Sequence, residues 1–307
     1  MTSLTLFSAP KPFTDPHIAA IQRNAVRSWT LLPDVEVILL GEETGLAEAA
    51  RELGVRRIPQ VARNANGTPL VSSMFQLARE NSHSDLLCLI NTDMLIMPDF
   101  IEAAGACRRS CSERGLSNFV LLSQRWDLDV TQPLEFDEGW QTRLRARVKR
   151  DGQLHKPAGS DFFLFPRSAY LDLPDFAIGR AGWDNWMIYK ARQEGWPVID
   201  CTPSAMIVHQ NHHYRHLPGG RSHHTTSEAD QNTRLAGGQA AIRYTILDAT
   251  HQLVDGNLVR PRMTRPRLLR RLELLLRKMF FFLPEQTRES VVRPKRWKKR
   301  IQRFIKK

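Results

Sequence analysis

The amino-acid sequence predicts an α/β fold in which helices cover both faces of a mostly parallel β-sheet. Short apolar segments alternate with amphipathic segments of helical length through the first 260 residues. Gly, Pro or polar residues end each apolar segment, which is typical of strand ends in such sheets. The hydrophobic content of 42% is enough for a buried core, so disorder over the whole chain is excluded.

Five strands and the helices between them account for the first half of the chain. The six-residue apolar run that Gly41 closes is typical of a buried strand. The Ala- and Glu-rich segment before Gly54 is typical of a helix that ends at a glycine. The predicted strands are Leu4–Ser8, Val35–Leu40, Val55–Val61, Leu86–Ile90 and Phe119–Ser123, and the predicted helices are Asp15–Trp29, Gly45–Leu53, Leu70–Glu80 and Phe100–Arg114.

The second half of the chain carries weaker patterns. Charged residues predict irregular structure at 125–160, and the polar, His- and Gly-rich segment His209–Thr226 predicts a mobile loop. The predicted strands here are Asp161–Phe165, Val198–Cys201 and Ala205–Val208, and the predicted helices are Asp184–Gly195 and Ala240–Leu253.

The net charge of +12 belongs to the C-terminal segment alone. Residues 262–307 hold 17 of the 44 Lys and Arg residues and 3 of the 32 acidic residues, a net charge of +14. Residues 1–261 therefore carry a net charge of −2. This distribution excludes a basic surface spread over the fold, and we expect no nucleic-acid partner.

Cysteine spacing and the length of the apolar runs indicate the cellular compartment in which the protein is expected. No two of the four cysteines have CxxC spacing, which favours reduced thiols in a cytosolic protein. The N-terminal residues lack the basic and apolar regions of a signal peptide. The longest apolar run, Met279–Leu283, is far shorter than the ~20 residues of a membrane span. We therefore expect a cytoplasmic protein.

A possible ligand site follows the apolar strand Leu86–Ile90. Asn91-Thr92-Asp93 stands at its carboxyl end, where open α/β sheets bind ligands. A carboxylate at that place can hold a divalent cation that grips a diphosphate. The alternative is an Asp that serves only the turn.

Three segments in this order resemble the nucleotide-sugar-dependent glycosyltransferases of the GT-A fold. The first is Asn91-Thr92-Asp93, which is similar to the DxD segment of that family. The second is Gly179–Trp186, which resembles the acidic segment near the acceptor, and the third is Val208–His216, where the family often has a metal-binding His. The resemblance covers about residues 1–255 and implies a Rossmann-like mixed sheet with helices on both faces.

The resemblance implies a role for each matching residue. Asp93 matches the last DxD acid and His209 the late metal ligand, so a divalent metal, Mn²⁺ or Mg²⁺, is expected there. Asn91 replaces the first acid, which removes one charge and implies weak or dispensable metal binding. Asp184 matches the general base that deprotonates the acceptor hydroxyl.

Further positions follow from the same resemblance. A nucleotide-binding half at about 1–123, an acceptor half at about 124–260 and a basic tail at 261–307 are expected, the first two forming one domain at 1–260. Nucleotide contacts are expected from Ser8, Ala9, Pro10, Arg63, Asn64 and Asn91, and sugar or acceptor contacts from Gly159, Ser160, Asp161, Trp183 and Asn185.

Each of these assignments has a purely structural alternative. Asp184 stands just before a predicted helix and could be its N-cap. Trp183 and Trp186 could belong to the core or stack on a sugar. Six of the ten histidines lie between His209 and His224, where a solvated loop with one functional His is favoured over a zinc cluster.

The basic tail has the pattern of an amphipathic helix. Arg267–Leu283 places bulky apolar residues on one face and basic residues on the other, and a second such segment is Lys295–Lys307. An apolar face this wide is superfluous for binding nucleic acid and necessary for a bilayer. Residues 267–307 therefore predict docking on an anionic membrane surface, with packing of Arg267–Leu283 on the catalytic domain as the alternative.

These observations predict an enzyme that transfers a sugar from a nucleotide-sugar donor to a glycan or lipid-linked acceptor. The tail places it at the inner face of the membrane, in assembly of cell-surface polysaccharide. A nucleotidyltransferase would have a Gly-rich loop after the first strand, where Ser8–Phe13 has no glycine. A non-catalytic membrane- or nucleic-acid-binding protein is the third possibility. No P-loop, GxGxxG or GxSxG motif follows a strand.

Overall fold

The apolar segments of the sequence form the strands of a central nine-stranded sheet in the computed structural model, which describes residues 4–158, 160–212 and 226–279. The chain divides into two units after Pro261, and the first unit contains this sheet. Its strands, together with those of a smaller sheet, are β1 (Leu4–Ser8), β2 (Val35–Leu40), β3 (Arg56–Ile58), β4 (Leu86–Ile90), β5 (Met94–Leu95), β6 (Val120–Leu122), β7 (Trp126–Leu128), β8 (Gln153–Leu154), β9 (Phe162–Pro166), β10 (Val198–Asp200), β11 (Val208–Gln210), β12 (His251–Val254) and β13 (Asn257–Val259).

Seven helices accompany these strands in the described part of the first unit. α1 begins at Pro16 because the Asp15 side chain accepts from two backbone N–H groups of its first turn. α2 ends at Gly54, whose φ of +67° is the left-handed conformation that glycine adopts without strain. The helices are α1 (Pro16–Thr30), α2 (Leu46–Leu53), α3 (Val71–Glu80), α4 (Pro98–Glu113), α5 (Trp140–Asp151), α6 (Trp183–Gln193) and α7 (Ser227–Leu235).

The central sheet has the strand order β13-β12-β10-β6-β9-β4-β1-β2-β3. β1 pairs in parallel with both β2 and β4, so the order of the strands reverses between β1 and β4. β9 runs antiparallel between β4 and β6, and β13 runs antiparallel to β12. The predicted α/β class is confirmed, and the sheet is mixed.

Apolar cores lie on both faces of the central sheet. Successive side chains of β1 pack alternately in one core and the other, because side chains of a strand point to opposite faces. Leu6 packs in the core that contains residues of α1, α2 and α4. Phe7 packs in the core that contains residues of α3 and α6. The predicted helical layers on both faces are therefore present.

A smaller sheet has the order β5-β11-β7-β8. Its strands are two or three residues long, and a third apolar cluster packs on it. Trp140, Leu144 and Val148 are the buried residues of α5 in this cluster, spaced four residues apart along one helix face. The prediction of irregular structure at 125–160 is wrong, because this narrow apolar stripe lies among many charged residues.

The prediction of a helix at Ala240–Leu253 is also wrong. Two short 3₁₀ turns occupy Ala241–Arg243 and Ile246–Asp248, and β12 follows. Pairing of β12 with β10 and β13 overrides the local helical pattern. α7 was not predicted, because Glu228, Ala229 and Asn232 are its only buried residues and two of them are polar.

The described part of the second unit contains the helix α8 (Arg265–Met279). Glu273 pairs with Arg270 and with Arg277, each at 3.0 Å, along the helix. The second predicted segment, Lys295–Lys307, lies outside the described residues. Among the residues that the structure describes, no helix is long and apolar enough to cross a membrane.

Candidate active site

The carboxyl ends of β1 and β4 open onto a cavity of about 720 Å³. Because the strand order reverses between these two strands, a crevice forms there, as in other open α/β sheets. Ala9 and Pro10 follow β1 and line the cavity, and Asn91-Thr92-Asp93 follows β4 and lines it as well. The segment Asn91-Thr92-Asp93 therefore faces this crevice.

Two short pairings of the smaller sheet bring acidic and imidazole side chains together beside the cavity. β11 pairs antiparallel with β5, which places His209 opposite Met94 and next to Asp93. β11 also pairs in parallel with β7, which places His209 opposite Asp127. The backbone N–H of Gln210 donates to the Asp93 carbonyl at 3.0 Å. The register of these strands fixes the arrangement of the site.

Asp93, His209 and His212 form a candidate metal centre, because one ligand atom from each lies within 4.8 Å of the others. Asp93 Oδ2 is 3.0 Å from His212 Nε2 and 3.8 Å from His209 Nε2. The other carboxylate oxygen, Asp93 Oδ1, is buried without a hydrogen-bond partner among the described residues. A buried carboxylate oxygen of this kind fits a cation, and one carboxylate with two imidazoles suits Mn²⁺ better than Mg²⁺.

Neighbouring charges and burial shift the pKa values of Asp93, His209 and Lys11. Burial raises the pKa of Asp93, but the neighbouring imidazoles and the Lys11 ammonium together hold that pKa well below its usual range. Burial lowers the pKa of His209, yet the carboxylates of Asp93 and Asp127 produce a net rise. Burial also lowers the pKa of Lys11, and Asp93 offsets part of that effect. Positive charge is therefore concentrated around one carboxylate.

Asp127 connects the metal centre to His155 and Arg125. Its Oδ2 lies 2.6 Å from His155 Nδ1, and its Oδ1 accepts from Arg125 Nε at 2.9 Å. His209 Nδ1 is 3.3 Å from the same Oδ1 atom. A carboxylate behind an imidazole ligand orients the ring and raises its basicity. Asp127 is thus placed to position His209.

Asn91 has a structural reason to be an amide. Its Nδ2 donates to Asp161 Oδ1 at 3.0 Å, and its backbone N–H donates to the Asp161 carbonyl at 2.9 Å. Arg125 holds the other Asp161 oxygen at 2.6 Å. A carboxylate at position 91 would face the Asp161 carboxylate and repel it. The amide of Asn91 is therefore matched to the carboxylate of Asp161.

Asp184 lies in the first turn of α6 and lines the same cavity as the metal centre. Gly182, not Asp184, is the N-cap, and no side chain caps this helix. The capping role considered for Asp184 is thus wrong. Burial raises the pKa of its carboxyl, backbone N–H groups of the helix start lower it, and Asp161 raises it, with a net rise. A carboxylate with a raised pKa is suited to accept a proton.

The other predicted contact residues are distributed unevenly around the cavity. Ser8 is buried at the end of β1, and Asn64 lies on a separate smaller cleft, where its side chain accepts from Asn66 and Thr68 backbone N–H groups. Gly159 lies outside the described residues. Those that line the cavity are Ala9, Pro10, Arg63, Asn91, Ser160, Asp161, Trp183 and Asn185.

Several of these lining residues are already engaged by the protein. Arg63 pairs with Glu43 at 2.7 Å, and the Asn185 amide donates to the Tyr244 carbonyl at 2.6 Å. Trp183 is 6% exposed and packs on Phe163 with ring centroids 5.6 Å apart. Both tryptophans of this segment belong to the apolar core, so little of the Trp183 ring is available to a ligand.

Four residues that line the cavity were not among the predicted site residues: His212, Lys11, Arg125 and His155. His212 follows His209 by three residues, and that spacing was the available sequence pattern. The other three have no linear signature. Lys11 is placed by its bonds to Gln22 of α1, and Arg125 and His155 depend on the pairing of β7 with β8 and β11. These pairings join segments that lie far apart in the chain.

Replacing Asp127 by Asn is expected to destabilise the fold in a pH-dependent way. Although burial acts to raise the pKa of Asp127, bonds from His209 and His155 and the charge of Arg125 hold it well below its usual range. A depressed native pKa stabilises the fold fully above the unfolded value of about 3.9, and this contribution is lost as the pH falls toward the native value. Urea unfolding of both proteins should give a free-energy difference that shrinks below about pH 5. Because Asp127 also raises the pKa of His209, the difference should shrink again as the pH rises through the native His209 value, above the unfolded value of about 6.5. A difference independent of pH would contradict this.

No protein-family model matches the sequence, and no protein of curated function matches it. Among solved structures, the chain is similar to glucosyl-3-phosphoglycerate synthase from Mycobacterium tuberculosis in complex with phosphoglyceric acid, with 13% identity over 78% of this chain and 81% of that one and a TM-score of 0.45. It is also similar to the same enzyme in complex with Mn²⁺, UDP-glucose and phosphoglyceric acid, with 13% identity over 78% and 80% of the two chains and a TM-score of 0.44.

Proposed function

We propose that this protein is a nucleotide-sugar-dependent glycosyltransferase. The observation that carries the proposal is the meeting of a three-residue metal centre and the Asp184 carboxylate in one cavity at the strand-order reversal. Crevices at that place in open α/β sheets bind nucleotides. A metal centre with a nearby proton acceptor matches the needs of sugar transfer from a nucleoside diphosphate.

Each group of the cavity has a distinct role in the proposed reaction. Asp184 accepts the proton of the acceptor hydroxyl as its oxygen attacks the anomeric carbon, with inversion at that carbon. Asp93, His209 and His212 would hold a divalent cation, which would supply charge neutralisation for the departing nucleoside diphosphate. Arg125 and Asn91 fix Asp161 at the cavity wall, where it is placed to contact the sugar or the acceptor.

A thermal-shift panel of nucleotide sugars, with and without Mn²⁺, tests this function. A donor at 100 times its Kd stabilises the native state by about 2.7 kcal/mol, so the correct one should raise Tm by several degrees in the presence of Mn²⁺. Asp93→Ala should abolish the Mn²⁺-dependent part of the shift, whereas Asp172→Ala, at an exposed position outside the cavity, should retain it. Absence of any nucleotide-dependent shift in the wild-type protein would overturn the proposal.

We also propose that the basic segment 262–307 docks the enzyme on the anionic cytoplasmic face of a membrane, where it transfers sugar to a lipid-linked or growing cell-surface glycan. Leu268, Leu272, Leu275 and Met279 stand along one side of α8 and are 41–65% exposed. Their spacing of three and four residues makes a continuous apolar stripe. The net charge of +14 on this segment complements anionic headgroups, and each basic residue near them contributes about 1 kcal/mol.

Adding charge to this stripe is expected to release the protein from vesicles. The double substitution Leu272→Glu and Leu275→Glu in the full chain removes two apolar anchors and two units of charge complementarity. Sedimentation with vesicles containing phosphatidylglycerol should show at least a tenfold loss of binding, since each buried leucine contributes about 1.5–3 kcal/mol. Leu171→Glu, at a 73% exposed leucine of the first unit, is the matched control. Equal binding of all three proteins would contradict membrane docking by α8.

A further inference from the structure

The ammonium group of Lys11 has no part in the roles given above. Lys11 follows β1 at the strand-order reversal, and its Nζ lies 3.3 Å from His212 Nε2. That same Nε2 atom is 3.0 Å from Asp93 Oδ2. An ammonium group therefore stands directly beside the ligands that would hold a divalent cation.

A buried amide fixes Lys11 in this position. Gln22 on α1 is 1% exposed and bonds the Lys11 backbone twice, accepting from its N–H at 2.7 Å and donating to its carbonyl at 3.0 Å. Gln22 Oε1 also accepts from Thr92 Oγ1 at 2.9 Å. The segment after β1 is thereby tied to the segment that carries Asp93, so Lys11 is held beside the metal centre by the protein interior.

The charges of this arrangement do not balance without a ligand. Asp93 is the sole carboxylate of the metal centre among the residues that the structure describes, and Asn91 contributes no charge. Asp127 and Asp161, the acids behind the metal centre, are each paired with Arg125. Within the set formed by the metal ligands and Lys11, a divalent cation and the ammonium would place three positive charges beside one carboxylate. Such an arrangement disfavours the metal on its own and favours a ligand that carries adjacent negative oxygens. A diphosphate has those oxygens.

We propose that Lys11 binds the diphosphate of the nucleotide and makes metal binding depend on it. This inference rests on the proposed function, and it names Lys11 as the residue that links binding of the metal ion to binding of the nucleoside diphosphate. The ammonium repels a metal ion when the cavity holds no nucleotide, and it donates to diphosphate oxygens when a nucleotide is present. Metal and nucleoside diphosphate then bind cooperatively, and the coupling is reciprocal.

Titration calorimetry on full-length wild type and Lys11→Met tests the inference. The probes are Mn²⁺ alone, inorganic pyrophosphate, and UDP, GDP, ADP and CDP with and without Mn²⁺. The nucleoside of whichever diphosphate binds is a further probe. Loss of a charge-assisted contact should weaken nucleoside diphosphate and pyrophosphate binding about 10- to 100-fold and leave the nucleoside unchanged. The same substitution should tighten Mn²⁺ binding in the absence of nucleotide by at least about threefold, because a neighbouring positive charge is gone.

In Lys11→Met the affinity for diphosphate should fall while the affinity for Mn²⁺ alone should rise. Simple damage to the fold would not produce changes of opposite sign. Lys149→Met removes an exposed lysine of α5 and should change neither affinity. Lys11→Arg keeps the charge and should retain most of the diphosphate affinity. If wild type binds a nucleoside diphosphate and Lys11→Met binds it equally well, or if Lys11→Met weakens Mn²⁺ as well as nucleotide, the inference is overturned. If wild type binds none of the nucleotides, the proposed function fails with it.

Discussion

Replacing Asp184 by Asn is expected to lower kcat by about 10²–10⁴-fold, the loss typical of removing a general base. The amide has nearly the same shape but cannot take the proton of the acceptor hydroxyl. Because Asp184 is separate from the metal ligands, the affinities for Mn²⁺ and for the donor should change little. Steady-state kinetics with the donor identified by thermal shift measures the effect, and Asp172→Asn is the exposed control.

The pH profile provides a second readout for Asp184. Its pKa is raised chiefly by burial, so the base form is lost at a higher pH than for an ordinary carboxyl. The rate should therefore rise with pH through a value above the usual 3.9 or so. In Asp184→Asn that limb should disappear. A loss of kcat below tenfold, or an unchanged acid limb, would remove Asp184 from the mechanism.

Replacing Asp93 by Asn is expected to weaken Mn²⁺ binding by about 100-fold or more. Asp93 is the sole carboxylate among the three ligands of the centre, and it lies between both imidazoles. An amide leaves the shape of the site but removes its negative charge, and Lys11 then repels the ion without opposition. Calorimetry with Mn²⁺ and the bound-ion EPR signal measure the loss.

The Asp93 result needs two comparisons. Asp230→Asn removes an exposed carboxylate in the first turn of α7 and should bind Mn²⁺ as wild type does. His212→Ala should weaken Mn²⁺ binding less than Asp93→Asn, because it removes a neutral ligand and leaves the charge. Thermal melting confirms that each variant is folded. An Asp93→Asn protein that keeps wild-type Mn²⁺ affinity would show that the ion binds elsewhere.

The parts of the fold that the sequence predicted are those with a strong local pattern. β1, β2 and β4 have the predicted bounds, because each is an apolar run with its last four or five residues buried. α2 ends at the predicted glycine for a local conformational reason. The smaller sheet could not be predicted, since strands of two and three residues carry no periodicity and exist only through their distant partners.

The candidate site divides in the same way. Asp93, His209 and Asp184 could be proposed from the sequence because each stands in a segment that resembles a segment of a known family. Arg125, Asp127 and His155 were not, because their position depends on the register between β7, β8 and β11. The reason for Asn91 was also hidden, since its partner Asp161 is 70 residues further along the chain.

The pairing of β5 with β11 has a consequence for how the molecule unfolds. Asp93 and His212 are 119 residues apart in the chain, and a two-residue strand pairing together with the bond from Gln210 to the Asp93 carbonyl joins their segments in the smaller sheet. Contacts of such long sequence separation form late, after the loop-closure entropy has been overcome. An ion held by both segments stabilises the native state and not the transition state that precedes their meeting. Binding of the ion would leave the folding rate nearly unchanged and lower the unfolding rate, so that a bound metal would increase the kinetic stability of the native protein.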